Sequence, residues 1–588
     1  MLLPVWLLGL ASSLWAAPLA LFPADQIRPG MRGQTHTVMQ GTEIIVLETE
    51  LLGVQKDAFG PGRDMIIGKL VDEKTRLTGA VHGMSGSPLY IEGKLVGALS
   101  RRLMLFEKDG HCGFTPIADI LDVQRRGRGK KEERQGAIPF FRVKTSAGGE
   151  MSPEFLPVPA PGSNQMGEWL GVPLSVSGWS DQAGEILNKV FRGLSGAVPV
   201  MASGPGQGKA IAASEIRPGS PLSVLLVDGD IRMGGTGTAT TVDGNKITAF
   251  GHPMLGVGST ELPLAGAEII TTMPSYYMPH KIANIGTAVG TLWQDRLSCI
   301  AGELGPIPQQ AAYHVTRRHE DEKRPEWKGS FVKEEWLAPR IMVLLMMRSL
   351  MDAQDMSLEA TFRLEGELRF KGLPPMKISS VLSGGFEERF FEVLMQMMPV
   401  AQLYEQFPKQ IEVESFDLKV ESFERASQWE VETVQVREAE LKPGQTVKAL
   451  IRLKNGRGET RLEECELKLP EELKRGNFQL RAMSGNALQQ QSRRLRNVAG
   501  ATSPAQFIQS HQEFFSANQL YVQVVTQQSG VVSRNRVQLG LPYSIGQVTR
   551  QNEQVGVADV VGQRVWTQQE IRLNGVVRGG EEIRLEIK

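Results

Sequence analysis

From Met31 to about Leu121 the chain alternates short apolar runs with polar positions and breaks them with glycine, as in EIIVLETELLGV, DMIIGKLV and SPLYIEGKLVGALS. A period of two bounded by turn residues predicts β-strands and hairpins. The rhythm stops at RRGRGKKEERQG, Arg125 to Gly136, where charge without apolar periodicity predicts a solvated linker. The Pro- and Gly-rich stretch Pro157 to Gly167 extends that connection, and strand-like text returns from about Ile211 to Gly305. RIMVLLMMRSLMDAQ, from Arg340, suits a helix or a buried strand, whereas LEATFRLEGELRF alternates as a strand does. Phe386 to Phe407 carries apolar residues on a 3.6-residue period, which predicts a helix whose methionines fill core. From about Val413 onward, alternating runs and turns such as KPGQ and KNGRG predict an immunoglobulin-like or related β-sandwich.

Composition narrows the function classes. At roughly 100–200 residues per domain, 588 residues imply three or four folded units. Gly at 63 and Pro at 33 favour tight turns and short strands. Lys plus Arg and Asp plus Glu both number 65, so no global field draws the chain to nucleic acid or to an anionic membrane. The three cysteines, Cys112, Cys299 and Cys465, contain no CxxC pair and allow at most one bridge. Residues 2 to 16 are apolar and end in small residues before Ala17-Pro18, which predicts a signal peptide over 1–17 and export to the periplasm, cell envelope or extracellular space. Membrane association would come only through that segment left uncleaved.

The chemistry concentrates in GAVHGMSGSPLYIEGKLVGALS, Gly79 to Ser100. A serine between glycines on a tight turn can present its hydroxyl, and Gly83 lets a backbone N–H approach an oxyanion with no Cβ in the way. Ser85 is thus a candidate nucleophile, with the Gly83 and Ser85 N–H groups as the oxyanion hole. Ser87 suits a structural hydroxyl that braces the turn. Of eight histidines, His82 lies too close on the same loop to be aimed easily at Ser85. His252 stands where a strand runs into Gly-His-Pro, with constrained backbone on both sides, and is the candidate base. His111-Cys112 and the group His314, His319, Glu320 and Asp321 match no zinc spacing, and the Gly-rich GPGQGK and GGTGT lack the P-loop frame, so no metal, nucleotide or other cofactor is expected.

The serine block resembles that of the SpoIVB-type serine peptidases, sporulation-type enzymes placed with the chymotrypsin-like peptidases. Their GMSGSP segment carries the nucleophile, which falls on Ser85. GGTGTATTVDGNKITAFGHPMLG resembles the family's Gly-His region, whose base falls on His252. The family's triad acid lies shortly before the serine block, which implies Asp72, with Asp64 the alternative. The blocks stand in permuted order, since the family's histidine precedes its serine; the acid that follows the family's Gly-His is replaced, and no PDZ-like segment precedes the peptidase region. The resemblance implies a chymotrypsin-like double β-barrel that hydrolyses peptide bonds of a protein or peptide substrate through Ser85, His252 and Asp72 and an acyl-enzyme.

The expected organisation is mainly β: signal peptide 1–17, serine half of the peptidase 18–124, linker 125–190, histidine half 191–330, a mixed α/β region 331–412 and a β-sandwich 413–588. The alternative function is an inactive peptidase-like envelope scaffold or binding protein. It gains if His252 turns away from Ser85 or the chain itself fills the space beside the serine.

Overall fold

The computed structural model describes residues 19–587, leaving aside 105–108, 130–140, 146–150, 156–167, 178–196 apart from Leu187 and Val190, 201–210, 352–359, 493–500, 541–557 apart from Ser544, and a few shorter stretches. The expected signal peptide, most of the charged run after Arg125 and the Pro/Gly-rich stretch lie outside the described residues.

The early alternating runs form six strands, β1 (Arg32–Thr37), β2 (Ile45–Gln55), β3 (Met65–Leu70), β4 (Pro88–Ile91), β5 (Lys94–Arg102) and β6 (His111–Pro116). They pair in the order β4-β1-β2-β3-β6-β5, and β4 also pairs with β5, which closes a six-stranded barrel. Closure leaves none of the six as a free edge along its whole length. Inward positions supply the core: Leu47, Leu51, Ile66, Leu89, Val96, Leu99 and Phe114 are all wholly buried. Pro116 stops β6 and leads into helix α1 (Ile117–Arg125). Its Ile117, Ile120 and Val123 pack on Leu95 and Ala98 of the barrel and on Trp293, Cys299 and Ala301 of the next sheet, so α1 holds the two together.

A short hairpin, β7 (Phe141–Thr145) with β8 (Met151–Phe155), precedes β9 (Glu168–Trp169), which adds to the barrel on β5. The chain then enters a large, curled sheet of thirteen strands. These are β10 (Val172–Ser177), β11 (Ala197–Val200), β12 (Pro221–Gly229), β13 (Arg232–Asp243), β14 (Lys246–Ala249), β15 (Gly258–Met273), β16 (His280–Arg296), β17 (Cys299–Leu304), β18 (Gln310–His319), β19 (Glu322–Val332), β20 (Thr361–Phe370), β21 (Met376–Ser383) and β22 (Val413–Phe423). Because β12 pairs with both β13 and β15, the strands β13, β14, β17, β16, β15 and β12 follow one another in a ring.

The same sheet runs on past residue 330, through β18, β22, β20 and β21, so the expected histidine half and mixed region share one sheet. RIMVLLMMRSL resolves as helix α2 (Ala338–Ser349), buried on nearly every side. Helix α3 (Phe386–Gln406) buries Phe390, Val393, Leu394, Met397, Val400 and Leu403, the face its period predicts. Its start is fixed by Glu388, whose side chain accepts the Gly385 N–H at 2.6 Å.

The remaining strands are β23 (Gln428–Val436), β24 (Thr446–Lys454), β25 (Thr460–Lys468), β26 (Gly476–Ser484), β27 (Gln519–Ser533), β28 (Arg536–Leu539), β29 (Ala558–Arg572), β30 (Val576–Arg578) and β31 (Gly580–Ile587). They make a four-stranded and a five-stranded sheet around one core that includes Ile451, Leu453, Leu467, Leu480, Leu520 and Val522. Val413–Phe423, the first strand assigned to the sandwich from sequence, pairs instead in the large sheet, parallel to β18 and antiparallel to β20. The protein is therefore mainly β, with a closed six-stranded barrel and a second, half-barrel sheet. Among the described residues no helix is long and apolar enough to cross a membrane.

Candidate functional site

The serine loop is wound tightly between β3 and β4. Gly83 and Gly86 sit at φ 94° and 92°, left-handed values that suit glycine. Met84 N–H donates to Val81 O and Ser87 N–H to Met84 O, both at 3.0 Å, while the Ser87 hydroxyl donates to Met84 O at 2.6 Å and so braces the turn. Gly86 N–H anchors the loop to Leu99 O of β5 at 2.7 Å.

Three further bonds tie this loop to the second sheet. Thr238 N–H donates to Ser85 O at 2.8 Å, Thr238 Oγ1 to Gly83 O at 3.1 Å, and Thr240 Oγ1 to Gly86 O at 2.8 Å. From the other direction Thr115 Oγ1 of the barrel donates to Gly251 O at 2.6 Å. The approach is close enough to require glycine: a Cβ on Gly86 would lie 2.1 Å from Thr238 O and 2.3 Å from Phe250 N. A Cβ on Gly237 would meet the Phe250 ring at 2.5 Å and the Ser85 hydroxyl at 3.1 Å. The two Gly-rich blocks singled out from sequence thus meet at the joint between the sheets.

The expected triad is not assembled at that joint. Ser85 is wholly buried, and its Oγ has no hydrogen-bond partner among the described residues. His252, also wholly buried, pairs Nδ1 with Pro253 O at 2.7 Å and Nε2 with Leu170 O at 2.6 Å. A neutral imidazole can donate to one of these carbonyls and an imidazolium to both. Burial drives the ring down to about 4, against the pull of the two carbonyls toward the charged form. Neither acid reaches it by a hydrogen bond. Asp72 caps a short turn by accepting Lys74 N–H at 2.9 Å, and Asp64 pairs with Lys56 Nζ at 2.7 Å and Asp57 N–H at 3.1 Å.

What fills the space beside His252 is the chain itself. Leu170 N–H donates to Ser100 O at 2.9 Å, its carbonyl takes His252 Nε2, and Trp169 lies 5.4 Å from the imidazole, centroid to centroid. The Arg101 guanidinium stacks 3.7 Å from the Trp169 ring and 4.3 Å from the Phe59 ring. Gly171 hydrogen-bonds the His82 side chain; burial, then the charge of Arg102, brings His82 to about 4.

Three buried groups here carried no sequence motif. Lys281 donates to Thr37 Oγ1 at 2.9 Å, and burial lowers its ammonium to about 7. Its aliphatic stem lies along the serine loop, with Cβ and Cδ 3.2 Å from where a Gly83 Cβ would stand. Asp295 accepts N–H groups from Met254, Leu255 and Gly256 at 2.8–2.9 Å and from Val257 at 3.5 Å, which fixes the loop just after His252. Burial raises its carboxyl, while those donors favour the charged form. The third is Leu170, whose placement depends on a strand of only two residues.

The three cysteines are thiols: Cys112 and Cys299 are buried and donate to Gly68 O and Ile120 O, and Cys465 is half-buried. No group of three metal-ligating side chains gathers among the described residues. No protein-family model, curated protein or solved structure matches this chain.

Proposed function

We propose that the protein is an exported serine-type endopeptidase of the SpoIVB kind, held closed in this state by its own residues Trp169 to Gly171. The observation that carries the reading is the meeting of the two blocks: Thr238 and Thr240, in the histidine block, bond three consecutive-turn carbonyls of the serine loop, those of Gly83, Ser85 and Gly86. On this reading the closed barrel and the curled second sheet would play the part of a chymotrypsin-like pair of barrels, with the reactive residues at their junction. In turnover Ser85 would attack a peptide carbonyl and pass its proton to His252, which would give it to the leaving amine. A water deprotonated by His252 would then hydrolyse the acyl-enzyme, Ser85 regaining its proton from His252, with the Gly83 and Ser85 N–H groups facing the oxyanion. Leu170 O occupies the His252 nitrogen, so a productive state requires that contact to open. Asp72 as third member has no support in this arrangement, where Pro253 O holds Nδ1.

A second reading, a catalytically silent scaffold, is favoured by one observation: both ring nitrogens of His252 face backbone carbonyls, not Ser85, while Ser85 is wholly buried. Fluorophosphonate labelling followed by mass spectrometry separates the two. The peptidase reading expects label on Ser85, faster in Trp169→Ala, and lost in Ser85→Ala and His252→Ala. No label in wild type or Trp169→Ala, with all four proteins folded, selects the scaffold.

A further inference from the structure

The C-terminal sandwich holds a cavity of about 400 Å³ whose polar end is a buried arginine. Arg481, on β26, is only 4% exposed. Its Nε donates to Gln523 Oε1 at 2.8 Å and its Nη1 to Gln491 Oε1 at 2.9 Å and to Gln563 Oε1. Gln491 Nε2 donates to Gln563 Oε1 at 2.9 Å, so the amides hold one another in place around the guanidinium. All three acceptors are neutral. Among the described residues Nη2 has no hydrogen-bond partner and no carboxylate lies within ion-pair distance. Glu582, opposite Arg481 on β31, is exposed and accepts instead from Gln479 Nε2 at 3.2 Å.

A cation removed from water without a counter-ion is costly, and neutral amides offset that cost only in part. Burial accordingly pulls the Arg481 guanidinium down, with Glu582 opposing. A guanidinium presenting unused N–H groups to a cavity is suited to a planar anion, which it can grip through two parallel bonds. The walls beyond it are apolar, from Leu488, Phe515 and Val565. One cation inside a ring of neutral amides, with Glu582 nearby, matches a single negative charge better than a dianion.

We propose that this cavity binds an organic carboxylate carried on an apolar body, with Arg481 and Gln563 at the carboxylate and Leu488 and Phe515 against the apolar part. The chemistry is shared by a free small acid and by the carboxyl end of a peptide, and it does not depend on the peptidase reading.

Calorimetric titration of the full chain tests it with four probes: N-acetyl-leucyl-phenylalanine, its C-terminal amide, 3-phenylpropionate and inorganic phosphate. The expected result is binding of the acids, with the amide weaker by at least about tenfold and no competition from phosphate. Binding of the peptide acid alone identifies a chain end as ligand; binding of phenylpropionate alone identifies a small acid. Arg481→Gln should lose the acid by a similar factor. Gln491→Glu, which supplies an internal carboxylate to Arg481, should abolish binding while raising the thermal midpoint, and so serves if Arg481→Gln does not fold. Equal affinity for acid and amide, competition by phosphate, or no binding of either acid to the folded wild type overturns the proposal.

Discussion

The carbonyl of Ser85 accepts the backbone N–H of Thr238 at 2.8 Å, so the main chain of the candidate nucleophile is held by the other sheet while its hydroxyl has no partner among the described residues. The joint between the sheets therefore positions the serine loop, and its geometry can be tested apart from any activity.

Gly86 is the sharpest test. An alanine there would need a left-handed backbone and would drive Cβ to 2.1 Å from Thr238 O, with only backbone around it to yield. Gly93→Ala makes the control, because that glycine is also left-handed, at φ 74°, but nothing lies within 4 Å of its Cβ. Gly93→Ala should cost about 1 kcal/mol and Gly86→Ala more than about 3 kcal/mol in urea unfolding. Equal costs would mean that the two sheets do not close on Gly86 in solution.

Lys281 predicts a basic-side slope. Its folded value of about 7 is below the ordinary 10.5, so between those limits the unfolded chain holds more protons and stability rises with pH. Below about pH 7 the full penalty of charging a buried ammonium is present. Lys281→Met should therefore stabilise the protein near neutrality by about 2–4 kcal/mol and flatten the slope above it. Urea midpoints of the two proteins across that window decide; a variant less stable than wild type at neutral pH would show the ammonium to be compensated.

The buried histidines predict the opposite flank. His82 and His252 both titrate at about 4 when folded, below the ordinary 6.5, so their contribution is complete above 6.5 and is lost as pH falls toward 4. Each accounts for up to about 3 kcal/mol over that range. His252→Gln should remove part of the slope, and a ring-proton titration by NMR should find His252 neutral at pH 6.5. An imidazolium there would mean that the carbonyls of Pro253 and Leu170 outweigh burial.

Strand period and helix period were readable wherever one face is buried: β24 alternates at every position, and α3 keeps its stripe for five turns. The meeting of the two blocks was expected only from the resemblance that pairs Ser85 with His252; the glycines it uses, Gly86 and Gly251 against backbone and Gly237 against the Phe250 ring, show their purpose once the sheets are in place. Other features carry no local mark. Val413–Phe423 alternates equally well for a sandwich or for the large sheet, and its parallel pairing with β18 depends on chain about a hundred residues away. Leu170 contributes a carbonyl, which every residue has, so nothing in EWLG announces that it will meet His252. Lys281 and Asp295 both sit on the long strand β16, and their partners, Thr37 of the barrel and the N–H groups of residues 254–257, are set by distant chain that no local pattern announces.

The sequence separation of the joint orders the folding of the chain. The barrel has all its strands by Pro116, but the carbonyls of Gly83 and Gly86 gain their threonine donors from residues 155 and 154 positions further on. At about 5–20 residues per second of synthesis, the serine loop waits roughly 8–30 s for those donors to be made. A nascent chain therefore makes Ser85 well before its loop gains the threonine bonds from the second sheet, so the order of synthesis sets when that loop is fully braced.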